Sequence, residues 1–505
     1  MPTIAGAFQR RTASHPRAHN SHRRAHNGWS VPTNPYDEIR YPTFPRLESH
    51  PDRLCTVGIL FGMEPAPVTN CRLLEIGSGD GSNLIPMAYA LPGSRFLGID
   101  LAPGAVESGR AAIETLGLTN IRLEAGDLRE IGEEAGEFDY IVAHGVYSWV
   151  PAEVRDALLR VSRERLARNG IAFVSYNAYP GRHIRQMLRE MMLYHIRGVE
   201  DPGERIGEGR RFLERVRQGR MLAREWRELM DSEIEHVLNC RDGGLYHDDL
   251  AAINHPVYFR EFAEHAARHG LAYLGDASVH EMFDPRGALG WLAGDVLERE
   301  QYLDFLRLRR FRQTLLCHEG VVLDRNVTPE HLERFRFSAP ARVLEDGLIE
   351  GLHGVRITAV HEAVNRVTAA LGEVYPFPLA FDELVAYAGD RENLREILYG
   401  LMLAGFASLH VHDFPCADEV TDRPRASALA RYQAARSPYV TSACHHTVEL
   451  DATGRLLVPL LDGTRTHLEI ARALAALPEG PSETEAREHL GASLEWLARM
   501  GVLEA

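Results

Sequence analysis

A chain of 505 residues with 45% apolar and 25% charged residues has the balance of a globular protein, and its length predicts about two to four domains. A net charge of −15 disfavours nonspecific nucleic-acid binding, so no nucleic-acid partner is expected. No apolar run approaches about 18 residues, so no membrane span is expected, and the six scattered cysteines form no C-x-x-C pair, which argues against a zinc ribbon or a disulfide framework.

Residues 1–35 read as a disordered basic tail, with arginines at 10, 11, 17, 23 and 24, no acid and no apolar signal segment. From Tyr36 the chain reads as folded, aromatic and proline-rich at first, then helical toward LCTVGILFG. Strands follow at CRLLEIG (71–77), RFLGID (95–100), IRLEAGD (121–127), FDYIVA (138–143) and GIAFVSY (170–176). The segments between them, 82–91, 103–117 and 151–167, read as helices. Near-continuous apolar strands alternating with helices predict a parallel sheet covered on both faces, an α/β Rossmann-like core over 36–180.

Residues 181–250 change character to long, charged, amphipathic helices, expected as a helical insertion that acts as a lid or dimerisation arm. Residues 251–325 complete the sheet, with a helix at 258–270, a sixth strand at 271–279 and a candidate seventh at 309–318. Two further modules, 340–415 and 430–505, read as mostly α and winged-helix-like, each a set of helices ending in a short strand. In both, acidic residues outnumber arginines, so partner docking or packing is favoured over DNA binding.

The first strand runs into LLEIGSGDGSN (73–83). Gly77, Gly79 and Gly81 let the backbone turn tightly and approach a ligand. A dinucleotide fingerprint needs a glycine where Ser82 stands, so that reading fails. Glu75 would repel a pyrophosphate but attract an amino or sulfonium group, and S-adenosyl-L-methionine carries both. Asp100 ends the second strand about 20 residues on, where an acid grips ribose hydroxyls. Asp127 ends the third and can accept from an adenine amino group, with the Leu128 N–H donating to the ring. Each acid alone could be a solvated strand end; together they predict a cofactor site, with Tyr41, Asn83, Leu101 and His144 joining its contacts.

LLEIGSGDGSN, LGID, EAGDL and FDYIVAHGVYSWVP together resemble the class I S-adenosylmethionine-dependent methyltransferases. GIAFVSYNAYPG, the segment 245–274 and REQYLDFLRLRRFRQTLLCH narrow this to the bacterial group with a methyltransferase regulatory domain. That group includes the rickettsial-type lysine methyltransferases of outer-membrane proteins. The resemblance covers about residues 36–325 well and the later modules loosely. It implies an enzyme with a helical dimerisation arm, hence a homodimer, and a protein lysine as methyl acceptor.

Methyl transfer from a sulfonium is an in-line displacement that needs alignment and exclusion of water. Candidates to face the acceptor lie at the carboxyl ends of strands four and five: His144, Tyr147, Trp149, Asn177 and Tyr179, with no general base assigned. Tyr147 and Trp149 could instead pack the loop onto the next helix, and His144 could serve only the cofactor. No metal is expected; Cys444-His445-His446 is compact, but adjacent residues seldom point at one ion. The expected location is cytoplasmic. Two alternatives stand beside protein lysine: methylation of a small molecule, and a cofactor-binding scaffold without catalysis. All 56 basic residues are arginine, which codon bias in a GC-rich genome explains first and an enzyme that attacks lysine second.

Overall fold

The computed structural model describes Ile39, Tyr41 and residues 43–219, 223–284, 287–292, 294–344, 348–351, 356–358, 361–415, 417 and 419–504. The expected basic tail, 1–35, and Tyr36 lie outside the described residues. Helix α1 (Pro51–Leu60) opens the folded part, with Pro51 at its first position and the His50 ring accepting the Asp52 N–H.

A seven-stranded sheet follows. Its strands are β1 (Arg72–Ile76), β2 (Arg95–Asp100), β3 (Ile121–Ala125), β4 (Phe138–Ala143), β5 (Leu166–Asn177), β6 (Leu271–Asp276) and β7 (Phe311–His318). The order is β3-β2-β1-β4-β5-β7-β6, and β7 alone runs antiparallel to its neighbours. Alternate residues feed two cores: Leu73, Tyr140 and Phe173 pack on one face, Leu74, Ile141 and Val174 on the other. Strands buried on both faces need this continuous apolar sequence. Helices α2 (Leu84–Ala90), α3 (Pro103–Leu116) and α4 (Ala152–Arg165) fill the connections. Strand β5 begins at Leu166 rather than at the expected Gly170, continuing directly from α4.

Three helices, α5 (Arg182–His195), α6 (Pro202–Gln218) and α7 (Arg224–Leu238), form the insertion after β5. They have their own core of Leu188, Met192, Leu213, Ile234 and Leu245. A π-helical turn at Leu245–Asp249 returns the chain to the sheet, where α8 (Phe259–Arg268) precedes β6 and α9 (Val296–Arg307) precedes β7.

The first C-terminal module holds α10 (Glu362–Val374), α11 (Phe381–Ala388) and α12 (Arg391–Leu403). Its small sheet joins Leu379–Ala380, Arg336–Ser338 and Ser408–His410, so one strand precedes the expected boundary at residue 340. Its apolar residues, Phe337, Leu371 and Leu398 among them, are continuous with the core under α1 and α2. The last module contains α13 (Ala428–Ala434), a hairpin of Tyr439–Thr441 with Thr447–Glu449, α14 (Ala452–Leu457), α15 (His467–Ala475) and α16 (Glu483–Arg499). The VLEA segment forms a single bridge, Leu503 to Ala426, rather than a full strand. Among the described residues no helix is long and apolar enough to cross a membrane.

Candidate cofactor and acceptor site

The sheet order reverses between β1 and β4, which opens a crevice at the strand ends. The glycine loop lies there. Gly77, Gly79 and Gly81 have φ of +77°, +55° and +75°, a region that favours glycine. A Cβ on Gly77 would stand 2.7 Å from Val146 Cγ2, so the loop and the turn after β4 press together. The Gly79 N–H donates to Asp100 Oδ2 at 2.7 Å, and Asp100 Oδ1 accepts the Ala102 N–H at 2.8 Å. Asp100 therefore fixes the loop while standing at the end of β2. Leu101 beside it is exposed, and Leu128 is buried.

Glu75 is buried at the end of β1. Its Oε1 accepts from Asn83 Nδ2 at 2.7 Å. Among the described residues no donor meets Oε2. Burial pushes this carboxyl up to about 8, against the Asn83 hydrogen bond, which pulls it down. A cationic group entering the crevice would restore its charge. Asp127 is engaged differently: it caps the short turn at Leu128–Glu130 and pairs with Arg129 at 2.6 Å. Hydrogen bonds from Arg129 hold Asp127 below the usual carboxylate range. An adenine amino group would share that carboxylate with the guanidinium.

A strap before α1 covers the loop. Thr43 Oγ1 donates at 2.9 Å to Asp80, and the Arg46 N–H donates at 2.8 Å to Asn83 Oδ1. Asn83 Oδ1 also accepts from His445 Nε2 at 3.0 Å, so the last module touches the cofactor loop. Sequence reasoning weighed His445 only as a metal ligand. Its signal was there, a polar cluster in an apolar stretch, but its partner lies 362 positions away. Upstream in the strap, the Tyr41 hydroxyl lies 3.4 Å from both Asp248 oxygens. Burial, then the neighbouring Asp249, pushes Asp248 up to about 6.

The turn after β4 divides its aromatic groups. His144 is half-buried between Phe173 and Phe311, with Nδ1 3.3 Å from Ser175 Oγ. Burial pushes it down to about 3, so it is neutral at physiological pH. Tyr147, expected to face the acceptor, is 2% exposed and packs inward on Tyr176 and Phe262. Its hydroxyl meets His265 Nδ1 at 2.8 Å. Trp149 is half-buried, and among the described residues no acceptor meets its Nε1. Asn177, at the end of β5, binds Ser148 Oγ through its N–H and Asn254 Oδ1 through its amide. Asn254 in turn donates to the Asp248 carbonyl at 2.7 Å. Tyr179 stacks on His183 at 4.0 Å, beside Tyr258. Through Asn254, the end of β5 is thus tied to the segment 248–254. Neither Asp248 nor Asn254 is among the site residues expected from the sequence.

Residues 74–172 match the family described as a methyltransferase domain, 241–318 the predicted methyltransferase regulatory domain, and 422–501 the PKMT C-terminal winged helix domain. The chain is 30% identical to RP789, an uncharacterized protein of Rickettsia prowazekii, over 94% of this chain and 92% of that one. The structure of PKMT2 from Rickettsia typhi matches with a TM-score of 0.80 at 26% identity, covering 92% of this chain and 100% of the other. The same protein in complex with AdoHcy matches at 27% identity with the same TM-score. Sheet order, glycine loop and these likenesses define an S-adenosylmethionine-dependent methyltransferase of class I. The buried, unmatched oxygen of Glu75 fits the cationic part of that cofactor. The chain belongs to the family that RP789 and PKMT2 represent, methyltransferases extended by a regulatory domain and a PKMT winged-helix domain.

Proposed function

We propose that this methyltransferase acts on lysine side chains of a protein. The observation that carries the reading is the likeness to PKMT2 along the whole chain, winged-helix module included. A small-molecule acceptor would need only a pocket. When bound, S-adenosyl-L-methionine supplies an electrophilic methyl group on a sulfonium. Glu75, Gly77, Gly79, Gly81, Asn83 and Asp100 would hold it, with Leu101, Asp127, Leu128, Tyr41 and His144 completing the contacts.

The acceptor amine must be unprotonated when it attacks, yet only about 0.04% of a free lysine is neutral at pH 7. His144, Trp149, Asn177 and Tyr179 offer a partly desolvated, aromatic approach that disfavours the ammonium form. Asp248 offers a carboxylate to meet the ammonium before its proton leaves. Tyr147 acts from behind, by holding the turn. Asp248→Asn should then lower kcat/KM for a protein acceptor at least tenfold while leaving AdoHcy affinity within about twofold. Equal loss of both would remove Asp248 from the acceptor side.

Tritium-labelled S-adenosylmethionine, incubated with the full chain and membrane and cytosolic fractions of the producing organism, tests the acceptor class. Label in protein bands that hydrolyses to methyl-lysine supports the reading. Label confined to extractable small molecules sinks it. The insertion is proposed to pair two copies, because Tyr194 and Trp226 on α5 and α7 are 69% and 56% exposed. Sedimentation of Trp226→Glu beside the wild type checks this: a lighter variant is expected.

A further inference from the structure

Behind the turn that follows β4, on the side away from the glycine loop, three side chains converge. His265 on α8 and His269, which caps its C-terminal end, stand four residues apart, so their rings share one face. Asp156 reaches them from α4. Asp156 Oδ1 lies 3.4 Å from His265 Nε2 and 3.0 Å from His269 Nε2. One ligand atom from each of the three groups falls within 4.8 Å of the others. We infer that Asp156, His265 and His269 form a binding site for a divalent transition-metal ion of the zinc class.

The spacing carries the argument. Zinc bonds of about 2.0–2.2 Å in tetrahedral geometry put neighbouring ligand atoms roughly 3.4 Å apart. One edge here has that length, 3.4 Å, and a second is 0.4 Å shorter, at 3.0 Å. Two imidazoles and one carboxylate are a donor set suited to zinc rather than to calcium or magnesium. The fourth position faces outward, since Asp156 is 61% exposed. The imidazole of His265 is also oriented from behind. Its Nδ1 meets the Tyr147 hydroxyl at 2.8 Å, and Tyr147 is locked by Tyr176 and Phe262. A ligating histidine characteristically gives its second nitrogen such a partner. With the metal on Nε2, the ring proton sits on Nδ1 and donates to Tyr147 Oη. No net proton is gained or lost by a neutral ring in that change. The ion would clamp α4 to α8 and, through Tyr147, stiffen the turn that carries His144 and Trp149.

The test uses the full chain and zinc chloride. Protein purified with chelator, loaded with zinc and dialysed, is expected to retain one zinc per chain by elemental analysis. Its melting temperature should rise with zinc. Asp156→Asn keeps the hydrogen-bonding shape at an exposed position, so folding is not at stake; it should lose most of the retained zinc and the thermal shift. His269→Asn should do the same. Tyr147→Phe should weaken zinc affinity about 10- to 100-fold, the usual effect of deleting an outer-shell partner. Cobalt(II) should give the visible absorption of a four-coordinate ion in the wild type and lose it in Asp156→Asn. No zinc retained by the wild type, or equal retention by both variants, would overturn the site.

Discussion

Glu75 is the residue on which the cofactor reading turns, and its burial has a measurable outcome. With its carboxyl pushed up to about 8, the ligand-free chain carries Glu75 protonated at neutral pH. A bound ammonium or sulfonium favours the ionised form, so AdoHcy binding should release close to one proton at pH 7. Calorimetry in buffers of different ionisation enthalpy reads this directly. Glu75→Gln should release none and bind at least tenfold more weakly. Release unchanged in the variant would place the proton elsewhere. The glycines, Glu75 and Asp100 were readable in sequence because backbone conformation and strand ends constrain residue type locally. The direction of Tyr147 was not, because it is set by His265 and Phe262 on a helix more than a hundred residues away.

At the level of elements, β7 shows how a polar sequence can enter a core. Arg312 is fully buried, with Asp304 at 2.8 Å and Glu300 at 2.9 Å, both on α9. Arg309 joins them, 3.1 Å from Asp304 and 3.4 Å from Asp276 on β6. The cluster pins α9 against the antiparallel edge of the sheet. Arg312→Ala would strand Glu300 and leave Asp304 to Arg309 alone, and should cost about 3–5 kcal/mol in denaturant unfolding. A loss below 1 kcal/mol would mean that water reaches the acids. The parallel strands were legible because each is an apolar run between helices. Short strands such as Arg336–Ser338, and the hairpin closing at Thr447–Glu449, carry too few residues for any period to show. Those elements exist because a neighbour pairs with them.

The whole molecule is wired through buried histidines. Asp52 of α1 accepts from His410 Nδ1 at 2.8 Å and from the Val411 and His412 N–H groups. His50 lies 5.0 Å, ring to ring, from His445, which donates to Asn83. Burial holds His50 down at about 3 and His446 at about 4, and it lowers His445 well below the usual imidazole range. These folded values lie below the unfolded value of 6.5, so the unfolded chain takes up protons first. Stability is full above pH 6.5 and falls as acid is added, by about 1.4 kcal/mol per pH unit for each such ring. Melting temperature should therefore drop between pH 7 and 5.5. His445→Asn should make that profile shallower, and an unchanged profile would show that the ring is not part of the coupling. None of this was legible locally, because the contacts join residues that only the finished fold brings together.

The same contact between His445 and Asn83 sets an order in time. At about 5–20 residues per second, a ribosome completes the seven-stranded sheet many seconds before it delivers His445. During that interval the loop exists without its last support. A nascent chain arrested just after β7 should fail to retain AdoHcy, and one released at full length should hold it. In this chain, a module synthesised late completes a site that is encoded early.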